Sequence, residues 1–558
     1  MVPKTLKTFL VVFPIFFAII FVSTWGILNG YFEQDEWLAI ANVMNSYNTP
    51  WWHIYIPWVH FSPLAIFLWS TLYKIFNLQA QYYFLIQLII HASVATLVFI
   101  LSERIAKNRI IAIITGLLFL LNGRAHQTFT HLAIFHTTTL TMFFILLFFV
   151  YLSGIQHKVL SFKNALILAL IFIAAVATRE EGFIIIPIAV AYLICFDRLK
   201  INKKNIVFAG LFSFGLIVFI LVRLFAQTLY TEPIPVQYQI TGNGAEYNLV
   251  TLPIKFVVQN IIWSERIGLF FVSNTQKLYP EIDSFFSSQA PIMDAALFFI
   301  FGLIASIFIL WFWLIKPKKI GSLMTFLLIW IGANSFMLSF IGRPIFVLEP
   351  RYLYFSSFPV LLFISIFLYS LYNSRGRNEI INFTKRIIVI VLFSTLLITS
   401  LQEIRIAVNY MSHSGIVKKQ VFRNLLKAHP KLSNNTIFFV KCGVKCYKNR
   451  ELGIPVENVL PFSSGPGMNI LVTYASIQNQ EKEWGPFFTK EWLFHTFSEG
   501  YKRIGDRSFG YFVTKRKLEE AVRKYNLSKD IIVALEYDEE SYTLRDISKE
   551  FRKTMSGN

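Results

Sequence analysis

Leu28-Asn-Gly-Tyr-Phe-Glu-Gln-Asp35-Glu36-Trp37 closes an apolar run and opens a polar stretch. Upstream, Met1-Val-Pro-Lys4 and Lys7 lead into apolar residues that continue to about Leu28. The run is longer than the core of a cleaved export signal and has no small-residue cleavage site at its end, so it reads as an uncleaved first membrane helix with a cytoplasmic N-terminus. Asp35 and Glu36 then stand just outside the membrane, in a third of the chain where acids are otherwise scarce. Acids in the first turn of a helix are favoured by ~0.3–1 kcal/mol. A carboxylate beside a bilayer can also act as a general base.

The chain has 558 residues, 55% of them hydrophobic and 17% aromatic. A soluble protein cannot hide that much apolar surface, and repeated apolar runs of roughly 17–25 residues mark a polytopic membrane protein. The formal charge of +20 follows from basic residues that punctuate the apolar runs. That is the positive-inside pattern of short cytoplasmic loops, not the continuous basic face of a nucleic-acid binder. Cys195 lies in an apolar run, and Cys442 and Cys446 form Cys-Gly-Val-Lys-Cys without a nearby histidine. Zinc is not expected there; a short disulfide is open if that region is extracytoplasmic.

Candidate spans are 9–28, 81–101, 110–122, 129–152, 164–178, 181–197, 205–227, 292–315, 320–341, 352–373 and 387–403. Basic clusters at 104–109, 158–163, 198–204, 316–319 and 375–386 should face the cytoplasm. Residues 30–60 outside and 102–109 inside require an odd number of crossings between them, so one of two apolar segments does not cross. The segment 61–77 is short and follows Trp51, Trp52 and Trp58, which suit a headgroup layer, and is read as an interfacial helix. The fold expected is an all-α polytopic membrane protein with about eleven spans and an interfacial helix in its first outer loop. Residues 1–403 form the membrane domain. Residues 404–558 turn polar, with strand-like runs at 436–440 and 469–473 and a helix-like run at 518–525, and read as an extracytoplasmic α/β domain.

This threading gathers ionisable residues on the outer face: Asp35 and Glu36, Arg124 and His126, Arg179 with Glu180 and Glu181, and Arg343, Glu349 and Arg351. Such groups at membrane depth are expensive and are kept for function or for pairing. Arginine forks suit phosphate, and a carboxylate can take the proton of an incoming hydroxyl. Together with a lipid-phosphate leaving group these parts make a glycosyl transfer. His126, His131 and His136 are spaced by five, turning ~140° between neighbours on a helix, so they are not read as metal ligands. The glycine-rich runs at 242–245 and 463–468 read as turns.

Several of these motifs resemble those of the GT-C-fold glycosyltransferases, the superfamily of protein O-mannosyltransferases and lipid A aminoarabinose transferases. Gln34-Asp35-Glu36-Trp37 resembles their acidic pair after the first helix, and His60-Phe-Ser-Pro63-Leu64 the stretch that often follows it. Thr178-Arg179-Glu180-Glu181-Gly182 resembles a Lys-Glu turn, and Glu349-Pro-Arg351-Tyr352 a Glu-x-Arg-Tyr element. The likeness covers roughly residues 1–400, and no tetratricopeptide pattern follows the membrane part. It implies a seven-helix module, interfacial helices in the first outer loop and a large outer loop after the seventh span. It implies a polyprenyl-phosphate monosaccharide donor, an inverting transfer, and an acceptor hydroxyl on protein, lipid or glycan at the outer membrane face. Asp35 would be the base, and Glu36 would position the acceptor or assist. Arg351, Arg343, Arg179 and Arg124 would compete for the donor phosphate, with Arg351 first because it opens a membrane helix. His60, His126, Glu180, Glu181, Glu349 and Tyr352 would line the site. No metal ligand is assigned, and a divalent cation stays open. The alternatives are an O-antigen-type polymerase or ligase, and a transporter or flippase, which would be expected to show repeat symmetry. The sugar, the acceptor, the carrier length and the oligomeric state are not legible.

Overall fold

The computed structural model describes residues 2–47, 62–155, 161–197, 244–261, 318–339, 348–374, 378–441, 466–488, 499–538 and 541–556, with Gly210, Ser213, Ile217, Ile220 and Leu221 standing alone. The described helices run in chain order as α1 (Val2–Ser23), α2 (Gln34–Ser46), α3 (Pro63–Phe76), α4 (Ala80–Ala106), α5 (Arg109–Leu120), α6 (Leu140–Ile155), α7 (Phe162–Thr178), α8 (Ile185–Tyr192), α9 (Gly244–Ile261), α10 (Lys318–Ser339), α11 (Pro350–Asn373) and α12 (Glu379–Ala428). A C-terminal region follows, with β1 (Asn435–Lys441), α13 (Pro466–Ile477), β2 (Gly500–Ile504), β3 (Arg507–Phe512), α14 (Lys515–Tyr525), β4 (Ile532–Asp538), β5 (Thr543–Asp546) and α15 (Ser548–Ser556).

Among the described residues, six helices are long and apolar enough to cross a membrane: α1, α4, α6 with the turn before it, α10, α11 and α12. Five overlap the spans expected at 9–28, 81–101, 320–341, 352–373 and 387–403, while the span expected at 129–152 is a membrane-length helix only from Thr137 to Ile155, its first part being short turns. Three other expected spans are shorter or broken. The 110–122 span is the helix α5, of 12 residues, and the 164–178 span is α7, of 17. The 181–197 span is divided among a 3-10 turn, α8 and a π turn. The spans expected at 205–227 and 292–315 lie outside the described residues, apart from the five isolated positions. The segment read as interfacial is helical, as α3.

Helix starts follow the side chains available. Asn108 caps α5 by accepting from the amides of Ile110 and Ile111, and Ser161 caps α7 by accepting from Asn164. Helix α12 has 50 residues and is continuous through 403–404. At 1.5 Å per residue it is about 75 Å long, more than twice the hydrocarbon thickness it would need to cross.

The chain divides into two compact units. One comprises Met1–Trp25, Ile56–Ala65 and Ile86–Ala407; the other comprises Gly26–Tyr55, Ile66–Leu85 and Val408–Asn558. The acidic helix α2 therefore belongs to the same unit as the C-terminal sheet.

That sheet has the order β2-β3-β1-β4-β5, with β1 parallel to β3 and β4 and with antiparallel strands at both edges. A central parallel strand is covered on both faces and reads as a continuous apolar run, as Ile437-Phe-Phe-Val440 does. Ile437 and Phe439 face the core made with Leu518, Ala521, Phe551 and Met555. Phe438 faces the other way, stacking with Tyr474 of α13. The strand read at 469–473 is in fact part of α13. Its Ile-Leu-Val run is apolar because the helix is buried, and helix and strand cannot be told apart from a short apolar run alone. The strand read at 436–440 and the helix read at 518–525 are both present.

Glu499 closes the start of α14. Its Oε1 accepts from the amides of Val513 and Thr514 at 2.6 and 2.5 Å, and Lys517 lies 2.6 Å from Oε2. Burial pushes this carboxyl upward, but the Lys517 and amide hydrogen bonds outweigh it and hold it below the usual range. A group depressed on folding stabilises above its unfolded value, about 4.3, and that stability is lost as pH falls through the folded value. The C-terminal sheet is expected to lose thermal stability on acidification below about pH 4. Glu499→Gln should lower the melting midpoint at neutral pH and flatten the acid limb, read by circular dichroism of the purified protein.

Candidate functional site

The acidic residues are fixed in one unit. Glu33 is the N-cap of α2, so Asp35 and Glu36 occupy its second and third positions. Glu36 is buried, and its Oε2 accepts from the Glu33 amide at 2.9 Å, the returning half of a capping box. Asp35 is exposed. The Glu33 carboxylate is ion-paired with Lys418 and accepts from the Ser414 hydroxyl at 3.1 Å. Sequence reasoning missed both Glu33 and Lys418, because their partnership joins residues 385 positions apart.

The basic residues are gathered in the other unit around the irregular stretch 122–139. Asn122 accepts from the Arg124 amide at 3.2 Å. It also donates to Asn260 Oδ1 at 3.2 Å and to Ser357 at 2.8 Å. Asn260 in turn donates to Ser356 at 3.0 Å. The Gln127 side chain accepts from the Arg351 amide at 3.4 Å. The Thr128 carbonyl accepts from Thr139 and from Gln87 of α4. Arg179 donates to Thr138 at 2.9 Å. One irregular stretch thus carries Arg124 and, through the Thr138 and Gln127 side chains, meets the Arg179 guanidinium and the Arg351 amide. Gly123 permits its closest approach: a Cβ there would lie 2.2 Å from the Ser400 carbonyl.

The three arginines differ in what they touch. Arg351 pairs with Glu349 at 2.6 Å and lies over the Tyr352 ring at 5.1 Å. Arg179 pairs with Glu181 at 2.8 Å. Arg124 is 8% exposed and donates through Nη2 to Thr399 at 3.3 Å. Its Nε and Nη1 are buried with no hydrogen-bond partner among the described residues. Burial pulls the guanidinium below its ordinary pKa, against the pull of Glu403. Arginine starts so high that the group stays charged.

Of the other residues read as site-lining, His126 is half-buried with Nδ1 3.4 Å from Thr130, and Glu180 and Glu181 sit in the turn after α7. His60 and Arg343 lie outside the described residues, as do Cys442 and Cys446. Helix α9, placed by the sequence in an outer loop, packs on α10 and α11. It buries Asn248, Thr251, Lys255 and Gln259 at helical spacing, and Gln259 accepts from the Leu348 amide. The signal was a polar residue at every third or fourth position of an otherwise apolar helix.

No family model matches the chain, and no curated protein sequence matches it. Among solved structures, the chain is similar to an apo oligosaccharyltransferase from Archaeoglobus fulgidus, with 14% identity, a TM-score of 0.40, and coverage of 72% of this chain and 56% of that one. It is similar to ArnT from Cupriavidus metallidurans bound to undecaprenyl phosphate, with 11% identity, a TM-score of 0.41, and coverage of 76% and 82%. It is similar also to the oligosaccharyltransferase AglB from A. fulgidus in complex with an inhibitory peptide and a dolichol-phosphate, with 13% identity, a TM-score of 0.41, and coverage of 84% and 63%. The chain thus spans less than two thirds of the length of either archaeal structure. Likeness at this level says nothing of substrate or chemistry.

Asn260→Leu removes the centre of the buried amide–hydroxyl network and leaves Asn122 and Ser357 short of partners. Each buried polar group left unsatisfied costs about 1–3 kcal/mol. A clear fall in melting temperature is expected in detergent, while Asn260→Gln should lose less only if the longer amide still reaches Ser356.

Proposed function

We propose that the chain is a membrane glycosyltransferase that moves a monosaccharide from a polyprenyl-phosphate donor to an acceptor hydroxyl. The observation that carries this reading is Arg124, a buried cation with two guanidinium nitrogens that have no hydrogen-bond partner among the described residues. A buried charge without full compensation is costly unless an anion arrives to meet it. A phosphate or phosphodiester supplies the oxygen acceptors that a guanidinium fits. Arg124 is the principal phosphate contact in this reading. Arg351 and Arg179, each already paired with a glutamate, tune the charge beside it, and Arg343 remains a candidate.

The acceptor oxygen attacks the anomeric carbon while the bond from that carbon to the phosphate oxygen breaks. The electron pair leaves with polyprenyl phosphate, and the acceptor proton goes to Asp35. Attack opposite the leaving group inverts the anomeric centre. Asp35 suits the base because it is exposed at a helix start whose neighbours are held. Glu36, buried in its capping box, holds the helix start in place of reacting. The reading puts the reaction at the outer face of the membrane, with sugar and acceptor left open.

The test uses radiolabelled undecaprenyl-phosphate and dolichyl-phosphate sugars as probes with the purified full chain. Arg124→Gln is expected to weaken binding of undecaprenyl phosphate by about 10–100-fold, the loss of a charge-assisted contact of about 1.5–3 kcal/mol. Asp35→Asn should abolish release of free lipid phosphate while leaving that binding intact. A fully active Asp35→Asn protein would sink the base, and undiminished lipid-phosphate binding by Arg124→Gln would sink the phosphate site.

A further inference from the structure

We infer that Lys418 is a positioning residue for Asp35, so that the stretch of α12 after residue 408 is a working part of the catalytic apparatus; this rests on Asp35 being the base. The face that α12 turns toward residues 26–37 has a regular period. Val408, Ser412, Gly415, Lys419 and Phe422 are spaced by four, three, four and three, the repeat of a single helical seam. Every one of them meets that segment. Val408 is the side chain that a Cβ on Gly26 would meet, at 3.2 Å. Ser412 accepts from Asn29 at 3.5 Å, and Lys419 donates to the Asn29 carbonyl at 3.0 Å. Phe422 packs on Tyr31 and Trp37, with ring centroids 6.0 and 5.5 Å away. Gly415 lets the helix come this close: a Cβ there would sit 2.3 Å from the Asn29 carbonyl oxygen and 2.6 Å from Gly30.

Lys418 and Ser414 stand beside this seam and grip the Glu33 carboxylate. The Lys418 side chain is 7% exposed and that of Glu33 22%, so solvent screens this pair little. Glu33 is the N-cap and Glu36 returns to its amide, so Asp35, itself exposed, is bracketed by two anchored residues. A general base has to sit within hydrogen-bond reach of its proton, and a misplacement of 1 Å can cost about 100-fold in rate. The pair therefore sets where the Asp35 carboxylate stands without touching the substrate.

The full chain in nanodiscs carries the test, with three readouts: hydrogen exchange of the 30–37 segment, turnover of the best probe among the polyprenyl-phosphate sugars, and affinity for undecaprenyl phosphate. Lys418→Met is expected to speed exchange at 33–37 and to cut turnover about 10–100-fold. Affinity for undecaprenyl phosphate should stay within about twofold, since the phosphate contacts proposed above lie in the other compact unit. Lys418→Arg should restore most of the turnover. Glu33→Gln, which keeps a side-chain acceptor at the N-cap, probes the same pair should Lys418→Met not fold, and the double variant should be little worse than either single one. Wild-type exchange and turnover in both single variants would overturn the proposal. So would loss of turnover in step with lost lipid-phosphate affinity and unchanged exchange. A fully active Asp35→Asn protein overturns the base and this proposal with it. An inactive Asp35→Asn beside a wild-type-like Lys418→Met overturns this proposal alone.

Discussion

Irregular backbone buried in apolar protein has to be satisfied by something other than water, and the stretch 122–139 is where that constraint organises the larger unit. It passes in turn through a 3-10 turn, two short α-helical turns and a π turn. Its polar groups are met by side chains from distant helices: Gln87, Asn260, Ser357 and Thr399. Non-helical backbone buried in protein is tolerated where such partners satisfy it. The arginines are placed as a consequence. Arg124 is the second residue of a turn capped by Asn122, Arg179 bonds the π turn, and the Arg351 amide rests on Gln127. The network that makes the fold affordable also determines where positive charge stands.

The smaller unit solves a related problem by other means. A helix of 13 residues with two acids in its first turn has little intrinsic stability. Its Trp37 is held from outside by Tyr31 and Phe32, edge to face, and Phe32 is packed edge to face by Tyr83. The helix packs also on α13 and the turn at 481–487. Aromatic pairs of this kind contribute about 0.5–1.5 kcal/mol each beyond the area they bury. The loop after the first helix is thus part of a folded body with its own core, and the acids it carries inherit that rigidity.

Much of the architecture was legible in the sequence because hydropathy is a local property. The long runs at 81–101 and 352–373 are membrane-length helices, and the change of composition near 404 announces a sheet region. What stayed hidden depends on contacts between distant residues. The 469–473 run reads as a strand until β3 and β1 are seen to bury it as a helix face. Glu349 and Arg351 are close enough in sequence for their pairing to be weighed, and they do pair. Nothing in Gly123-Arg124-Ala125 tells that this guanidinium is buried with nitrogens to offer. The sequence marked Asp35 and Glu36 as one motif; the structure separates them into an exposed carboxylate and a buried capping group.

Helix α9 carries its hydrogen-bonding side chains inward, with Asn248, Lys255 and Gln259 almost wholly enclosed and Leu249 and Val250 facing out. Taken alone, such a helix would leave that polar face without the protein groups that enclose it. Its companions α10 and α11 come later in the chain. The buried polar face of α9 therefore finds its partners only once α10 and α11 are in place. One face of one helix thus ties residues 244–261 to segments far along the chain.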